Sequence, residues 1–323
     1  MTETAPSAAK RVRANFCLFS NFEGLEAVLT ERVKVLHAEK QQVALAFLES
    51  LRGVVQTLSI PFNYTYSQVH SLHWQRILIR ERIRSDSDDV SVAGQAAKAA
   101  FDDYIAKESG GIIADHVIDL LAGLLDKPGS LAAARELVRQ GVVLIWSAFE
   151  VLARDMFVDL LNNDPRLVER LQAHVPSRKR FTVEKIDWQT LSGFNFDLSA
   201  SLGTLLSQRA DLDDIQTIRD AYDALFPLAT TLRERMGDDR LWIVFQKRNL
   251  IVHRRGIIDR QYIEKTGATL PIGSPLWVSP SEIDEYLEAV VFAGTELLTE
   301  AAMSTNPSIQ PTTPDGAAAH DEN

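Results

Sequence analysis

The 323-residue chain is short of several features that define common protein classes. It has a single cysteine, Cys17, so an internal disulfide framework is excluded and a reducing compartment is expected. No apolar run approaches the ~20 residues of a membrane span. The nearest, GVVLIWSAFEVLA, is too short and contains Glu150. The opening MTETAPSAAKRVRANF lacks the long apolar core of a signal peptide, and the expected location is the cytoplasm, with no membrane partner. No Walker loop, GxGxxG or GxSxG occurs, which leaves phosphate-loop ATPases, dinucleotide enzymes and α/β-hydrolases without support. Positive charge is in the minority, and the formal net charge of −10 argues against a protein that coats nucleic acid over its whole surface, while leaving room for a local basic site.

Strand-like alternation of useful length is also missing, and what is present has helical spacing. At 46% hydrophobic and 24% charged residues the composition is that of an ordinary globular chain. Apolar residues from Glu23 to about Ser59 recur mostly every three or four positions, and IPFNYT is expected to end that helix before a second, Tyr66–Ile83. SDSDD reads as a loop or a helix start, followed by helices over Val92–Lys107 and Gly111–Leu125. DKPGS punctuates the chain and suggests a domain boundary. A long helix then runs from Leu131 to about Asn162, ended by Asp164-Pro165. Phe181–Phe196 reads as a loop over the core. Further helices are expected over Leu212–Leu225, from Leu241 onward, and after Ser281 as a plausible N-cap. The fold class is therefore all-α. The expected division is a tail over 1–15, an N-terminal helical region over 16–128, a helical domain over 129–302 and a second tail over 303–323.

The stretch LWIVFQKRNLIVHRRGIIDRQY, Leu241 to Tyr262, does not fit a plain core helix. At ~100° per residue, Gln246, Asn249 and His253 share one narrow stripe. Arg248 and Arg255 form a second, and Lys247 and Arg254 a third. Thin polar stripes set into apolar surface imply burial on several sides, where an amide or an imidazole needs a partner or a cavity. His253 taken alone reads more readily as a hydrogen-bonded core histidine than as a catalyst, and Arg254 and Arg255 read as charges complementing a helix C-terminus ahead of Gly256. From Gln246 to Lys265 six basic residues face two acidic ones. SRKRF at Ser177–Phe181 is a second basic cluster, open to reading as a flank for RNA phosphates or as a solvated loop.

RNLIVHRRGIIDRQY resembles the signature of the HEPN superfamily, in which an Arg, a variable gap and a His lie on a late helix of an all-α domain. LIWSAFEVLARDMFVDLL resembles the first long helix of that domain, with Glu150 at its acidic position. YDALFPLATTLRERMGDDRLW resembles the segment before the motif helix, and GIIDRQYIEKTG with PLWVSPSEIDEYLEAVVFAGTELL resembles the tail of the RiboL-PSP-like branch. The resemblance spans about Leu131–Ala302. It implies a helical bundle and a metal-independent endoribonuclease, of the kind found in toxin or phage-defence systems, in which the RNA 2′-hydroxyl attacks the adjacent phosphate. On that reading His253 is the general acid/base, Arg248 the phosphate clamp, and Asn249 orients the histidine or binds phosphate. Glu150 and Gln246 support them, and Lys247, Arg254 and Arg255 bind RNA. No cofactor is implied. Imidazole titrates near neutral pH and guanidinium matches a developing phosphorane, so the chemistry suits the side chains.

Arg248 and His253 are five residues apart, and their directions differ by ~140° on a regular helix. The resemblance implies that two copies of the motif meet about a two-fold axis, hence a homodimer. An antitoxin or other regulatory partner is a further expectation. The other reading is a non-catalytic module of the same family that dimerises and binds RNA or nucleotide as a scaffold. HSLHW places His70 and His73 at i, i+3, acceptable for two metal ligands, but no Cys or acidic residue stands at ligand spacing, and no metal is assigned. Trp146 and Phe149 read as core.

Overall fold

A computed structural model describes residues 7–304 apart from 20, 85–89, 109–110 and 211. Its elements are helices throughout: α1 (Ala8–Arg13), α2 (Phe22–Lys34), α3 (Ala38–Arg84), α4 (Val90–Glu108), α5 (Gly111–Leu124) and α6 (Pro128–Asn163). The short α7 (Val168–Ala173), α8 (Val175–Phe181), α9 (Trp188–Gly193) and α10 (Leu202–Ser207) follow. Then come α11 (Ile215–Leu225), α12 (Thr230–Met236), α13 (Asp239–Arg254), α14 (Arg260–Thr266) and α15 (Pro280–Ser304). The only extended pairing among the described residues is an isolated antiparallel bridge, Ile257 with Pro275. The all-α expectation is met.

Several boundaries differ from the sequence reading, each for a local reason. Pro61 does not end a helix; it lies inside the 47-residue α3. A proline there removes one backbone bond and crowds the preceding turn, a cost of about 3 kcal/mol. Leu51, Val54, Leu58 and Val69 on either side are almost fully buried, and each contributes roughly 1.5–3 kcal/mol, so packing outweighs the break. Trp188–Gly193, expected to be loop, is helical because the Asp187 carboxylate accepts from the Thr190 backbone N–H at 2.7 Å, an N-cap. Helix α15 starts at Pro280, one residue before the expected cap: Glu282 N–H donates to Ser279 Oγ, and Ser279 N–H donates to the Glu282 carboxylate at 2.8 Å. That is a capping box with proline at the first helical position. Ala8–Arg13, expected to be tail, forms α1. The SDSDD reading and most of the expected C-terminal tail fall outside the described residues.

The chain forms two compact units, each built from separate segments: Met1–Ala27 with Phe47–Val151 and Asp238–Val291, and Val28–Ala46 with Leu152–Gly237 and Phe292–Asn323. The expected boundary at DKPGS lies inside the first unit's long middle segment. In that unit Trp146 is fully buried, with the Phe245 and Phe149 rings 5.0 and 5.7 Å away. Gly141 permits the close approach: a Cβ there would stand 2.8 Å from Leu58 Cδ1 and 3.2 Å from Ile283 Cδ1. A satellite core joins Val12 and Phe16 to Val69, Ile113, Val117 and Leu121. In the second unit Tyr222 is fully buried and donates to the Ala153 carbonyl at 2.6 Å, and Phe157 stacks on Phe181 at 5.1 Å.

Among the described residues one helix, α3, is long and apolar enough to cross a membrane by length and composition alone, with 33% of its most apolar 18 residues buried. Phe47, Leu48, Leu51, Val54 and Leu58 of the same helix are core residues of the first unit.

Candidate functional site

Helix α13 is held at both ends. At its start the Asp238 carboxylate accepts from Arg240 N–H at 2.8 Å, and the Arg240 guanidinium bridges Asp238 and Glu288 at 2.8 and 2.6 Å. At its end Arg255 adopts a left-handed conformation, φ 54°, followed by Gly256 at φ 71°. Gly256 N–H donates to the Leu250 carbonyl at 3.0 Å, the closure that satisfies a helix C-terminus. The chain then reverses into α14, whose N-cap Asp259 accepts from Tyr262 N–H at 2.8 Å. Trp242 Nε1 donates to the Lys265 carbonyl at 3.1 Å, which ties α14 back along α13.

This fold-back makes a shallow groove of about 90 Å³. Gln246, Asn249 and His253 line it from α13, so the stripe read from the sequence faces one cleft. Gln261 and Lys265 of α14 face them, and Arg254 stands at the edge. His253 is exposed to solvent, whereas Gln246 is only 4% exposed and its Nε2 has no hydrogen-bond partner.

Arg248 points elsewhere. Its side chain is 17% exposed, with Nη2 donating to the Glu150 carboxylate at 3.3 Å and Nη1 to Asn249 Oδ1 at 3.0 Å. Its Nε is buried without a partner. Glu150, Arg248 and Asn249 stand together, and Asn249 links Arg248 to the groove that His253 lines. Within one chain Arg248 and His253 do not share a cleft, as their ~140° separation requires.

Of the three residues assigned to RNA binding, Lys247 is a correction. It is 6% exposed, its ammonium pairs with the Glu282 carboxylate, and it lies 5.4 Å from the Tyr286 ring centroid. A long basic side chain in an otherwise apolar stripe was buried against a carboxylate, which the sequence alone did not place opposite it. Burial by itself would raise the Glu282 carboxyl, but the hydrogen bonds from Lys247 and from Ser279 N–H hold it below the usual range. The same surroundings push Tyr262 up to about 12, through burial and the nearby Glu282. Arg254 and Arg255 are exposed, and Arg254 lies 3.4 Å from Asp259. The α14 contributions, Gln261 and Lys265, were not among the expected site residues. Gly256 followed three residues later by Asp259 is the signal that a second helix turns back on α13.

SRKRF lies in α8, with Arg178 and Lys179 exposed while Ser177, Arg180 and Phe181 are engaged by the fold. Ser177 is fully buried, hydrogen-bonded to His174 Nδ1 at 2.7 Å and donating to the Asp220 carbonyl. Arg180 donates to Asp220 at 2.7 Å and to Thr217 at 2.8 Å. His70 and His73 sit in an aromatic cluster: His70 lies edge-on to Phe101 at 4.7 Å and His73 stacks on Tyr104 at 5.5 Å. Among the described residues no three His, Cys, Asp or Glu side chains are placed to hold a metal ion together.

No family model matches the chain, and no curated protein or solved structure is significantly similar to it.

Proposed function

We propose that this protein is a metal-independent endoribonuclease of the HEPN type, acting as a cytoplasmic homodimer. The observation that carries the reading is the placement of His253: exposed at the edge of a groove, on the same stripe as Asn249 and Gln246, with Asn249 hydrogen-bonded to Arg248 at 3.0 Å. An imidazole open to solvent near neutral pH can take the proton of an attacking 2′-hydroxyl or return one to the leaving 5′-oxygen. Arg248 carries five N–H donors, and the guanidinium fork suits the oxygens of a pentacoordinate phosphate. Because Arg248 and His253 diverge on one helix, the full constellation draws Arg248 from one copy and His253 from another. Val252, beside His253, is 49% exposed and offers apolar surface for that pairing. An antitoxin or other regulator would act by covering the groove or blocking the pairing.

One observation favours a second reading. Arg248 is largely buried and already held by Glu150 and Asn249, as in a structural network of a non-catalytic RNA-binding scaffold. Purified protein incubated with mixed RNA and EDTA separates the two. Cleavage leaving 2′,3′-cyclic phosphate ends, lost in His253→Ala and Arg248→Ala variants of unchanged helicity, is the expected result. Equal cleavage by wild type and His253→Ala, or RNA binding with no cleavage, would leave the scaffold. A wild type that stays monomeric at micromolar concentration would remove the shared cleft.

A further inference from the structure

In the second unit two aromatic side chains stand in water side by side. Trp188 is 78% exposed and Phe196 61%, with ring centroids 6.0 Å apart and an interplanar angle of 57°. Between Val175 and Leu228 no other large hydrophobic side chain among the described residues is exposed. Leaving both rings in solvent forgoes the stabilisation that burial would bring. The backbone bears a second cost. Phe196 holds φ 59° and Asn195 φ 51°, left-handed conformations that glycine usually supplies and a bulky side chain rarely adopts. They close α9, with Phe196 N–H donating to the Leu191 carbonyl at 2.8 Å. Glycine at 196 would make that closure with less strain, but it would carry no ring.

The surroundings narrow what could cover the rings. Arg209 Nη1 donates to the Lys185 carbonyl at 3.2 Å, three residues before Trp188. Lys185 and Arg209 are exposed, as are Glu184, Asp187 and Asp197. Asp187 accepts from Thr190 N–H at 2.7 Å and Asp197 from Ser199 N–H at 2.8 Å, so two of the three carboxylates already serve local backbone. A stable protein interface needs about 800 Å² on each side, whereas the exposed neighbours of the rings, Gln189, Ser192 and Asn195, are polar. The site is one or two rings wide. A nucleobase fits it, being flat and neutral where it meets an aromatic face, while a cation beside it takes the phosphate.

We propose that Trp188 and Phe196 form a stacking platform for unpaired bases of single-stranded RNA, with Arg209 and Lys185 contacting the adjoining phosphates. Bases in a duplex stack on one another and cannot reach such a platform. The proposal rests on the nuclease reading only for the choice of RNA as the polymer.

Fluorescence anisotropy tests it, with the full chain in a His253→Ala background, labelled oligoadenylate and the duplex of that strand with oligouridylate. Trp188→Ala should weaken single-strand binding about tenfold, the scale of one lost base–aromatic stack, and leave duplex affinity unchanged. Trp188→Phe should restore most of the loss. Phe196→Gly should melt at or above the wild-type temperature and still bind the single strand more weakly, a split that a purely structural role does not give. Unchanged single-strand affinity in Trp188→Ala, or an equal loss for strand and duplex, overturns the platform. So does self-association that Trp188→Ala abolishes with no change in RNA affinity. Cleavage keeps the two ideas apart. Trp188-dependent binding with no cleavage by wild type supports the platform and sinks the nuclease. His253-dependent cleavage with a KM unmoved by Trp188→Ala sinks the platform alone.

Discussion

Arg180 and His253 sit in the two basic clusters of an acidic chain, and their surroundings differ. Around Arg180 the neighbours are partners: Asp220, itself 7% exposed, takes hydrogen bonds from Arg180 at 2.7 Å and from Gln216 at 2.8 Å, and Ser177 and Phe181 are buried beside it. Around His253 the neighbours leave something over: an exposed ring, an unmatched amide at Gln246, and an Asn249 whose carbonyl is spent and whose amine is not. The first cluster closes a core by charge pairing. The second arranges polar groups about a space. Runs of basic residues look alike in a sequence, and what separates these two is where the fold puts their polar groups: Arg180 closes on the nearly buried Asp220, whereas Gln246, Asn249 and His253 line a groove.

The largest expected effect falls on cleavage. His253→Ala should lower the rate of RNA cleavage by roughly 10²–10⁴, the usual scale of general acid–base catalysis, while Arg180→Ala leaves it unchanged. Equal losses in both would dissolve the distinction between the clusters. Next comes stability. Lys247→Met strips Glu282 of its buried counter-ion and should cost roughly 3 kcal/mol, read as a lower urea midpoint with unchanged slope. If Lys247 instead served RNA, the variant would fold normally and bind RNA less well.

The same pair predicts a pH dependence. Glu282 has its pKa lowered in the folded state, so its contribution is present above the ordinary carboxylate value of 4.5 and lost as pH falls through the lower folded value. Wild type should therefore lose stability below about pH 4.5 more steeply than Lys247→Met, in thermal melts run across that window. A parallel loss in both proteins would show that the pair carries no linkage. Arg180→Ala should cost about 2 kcal/mol by leaving Asp220 short of its main partner. The smallest effect is at Arg255, where a non-glycine residue holds φ 54°. Arg255→Gly should raise stability by about 1 kcal/mol and weaken RNA affinity slightly at low salt, with a shallower salt slope. No change in that slope would place Arg255 outside the RNA path.

The part of the site legible beforehand is the part that one helix dictates. Gln246, Asn249 and His253 share a stripe because 3.6 residues per turn puts them there, and the same arithmetic kept Arg248 away. The opposite wall was not legible, because Gln261 and Lys265 reach the groove only after a left-handed turn at Arg255–Gly256 brings α14 back. Lys247 was misread for a related reason: its partner Glu282 lies 35 residues on in the chain. In the fold, Pro61 shows local propensity losing to burial on both sides of it, and Ser279 shows a cap displaced by two residues by a proline that favours the first helical turn.

Spacing and composition determined by themselves that this chain is helical, that α13 carries polar stripes set into apolar surface, and that its arginine and histidine diverge. These follow from helix geometry, which is local. Only the tertiary structure decided which charges are matched and which are left facing a groove, because pairing depends on residues distant in sequence meeting in space, and no periodicity encodes that meeting.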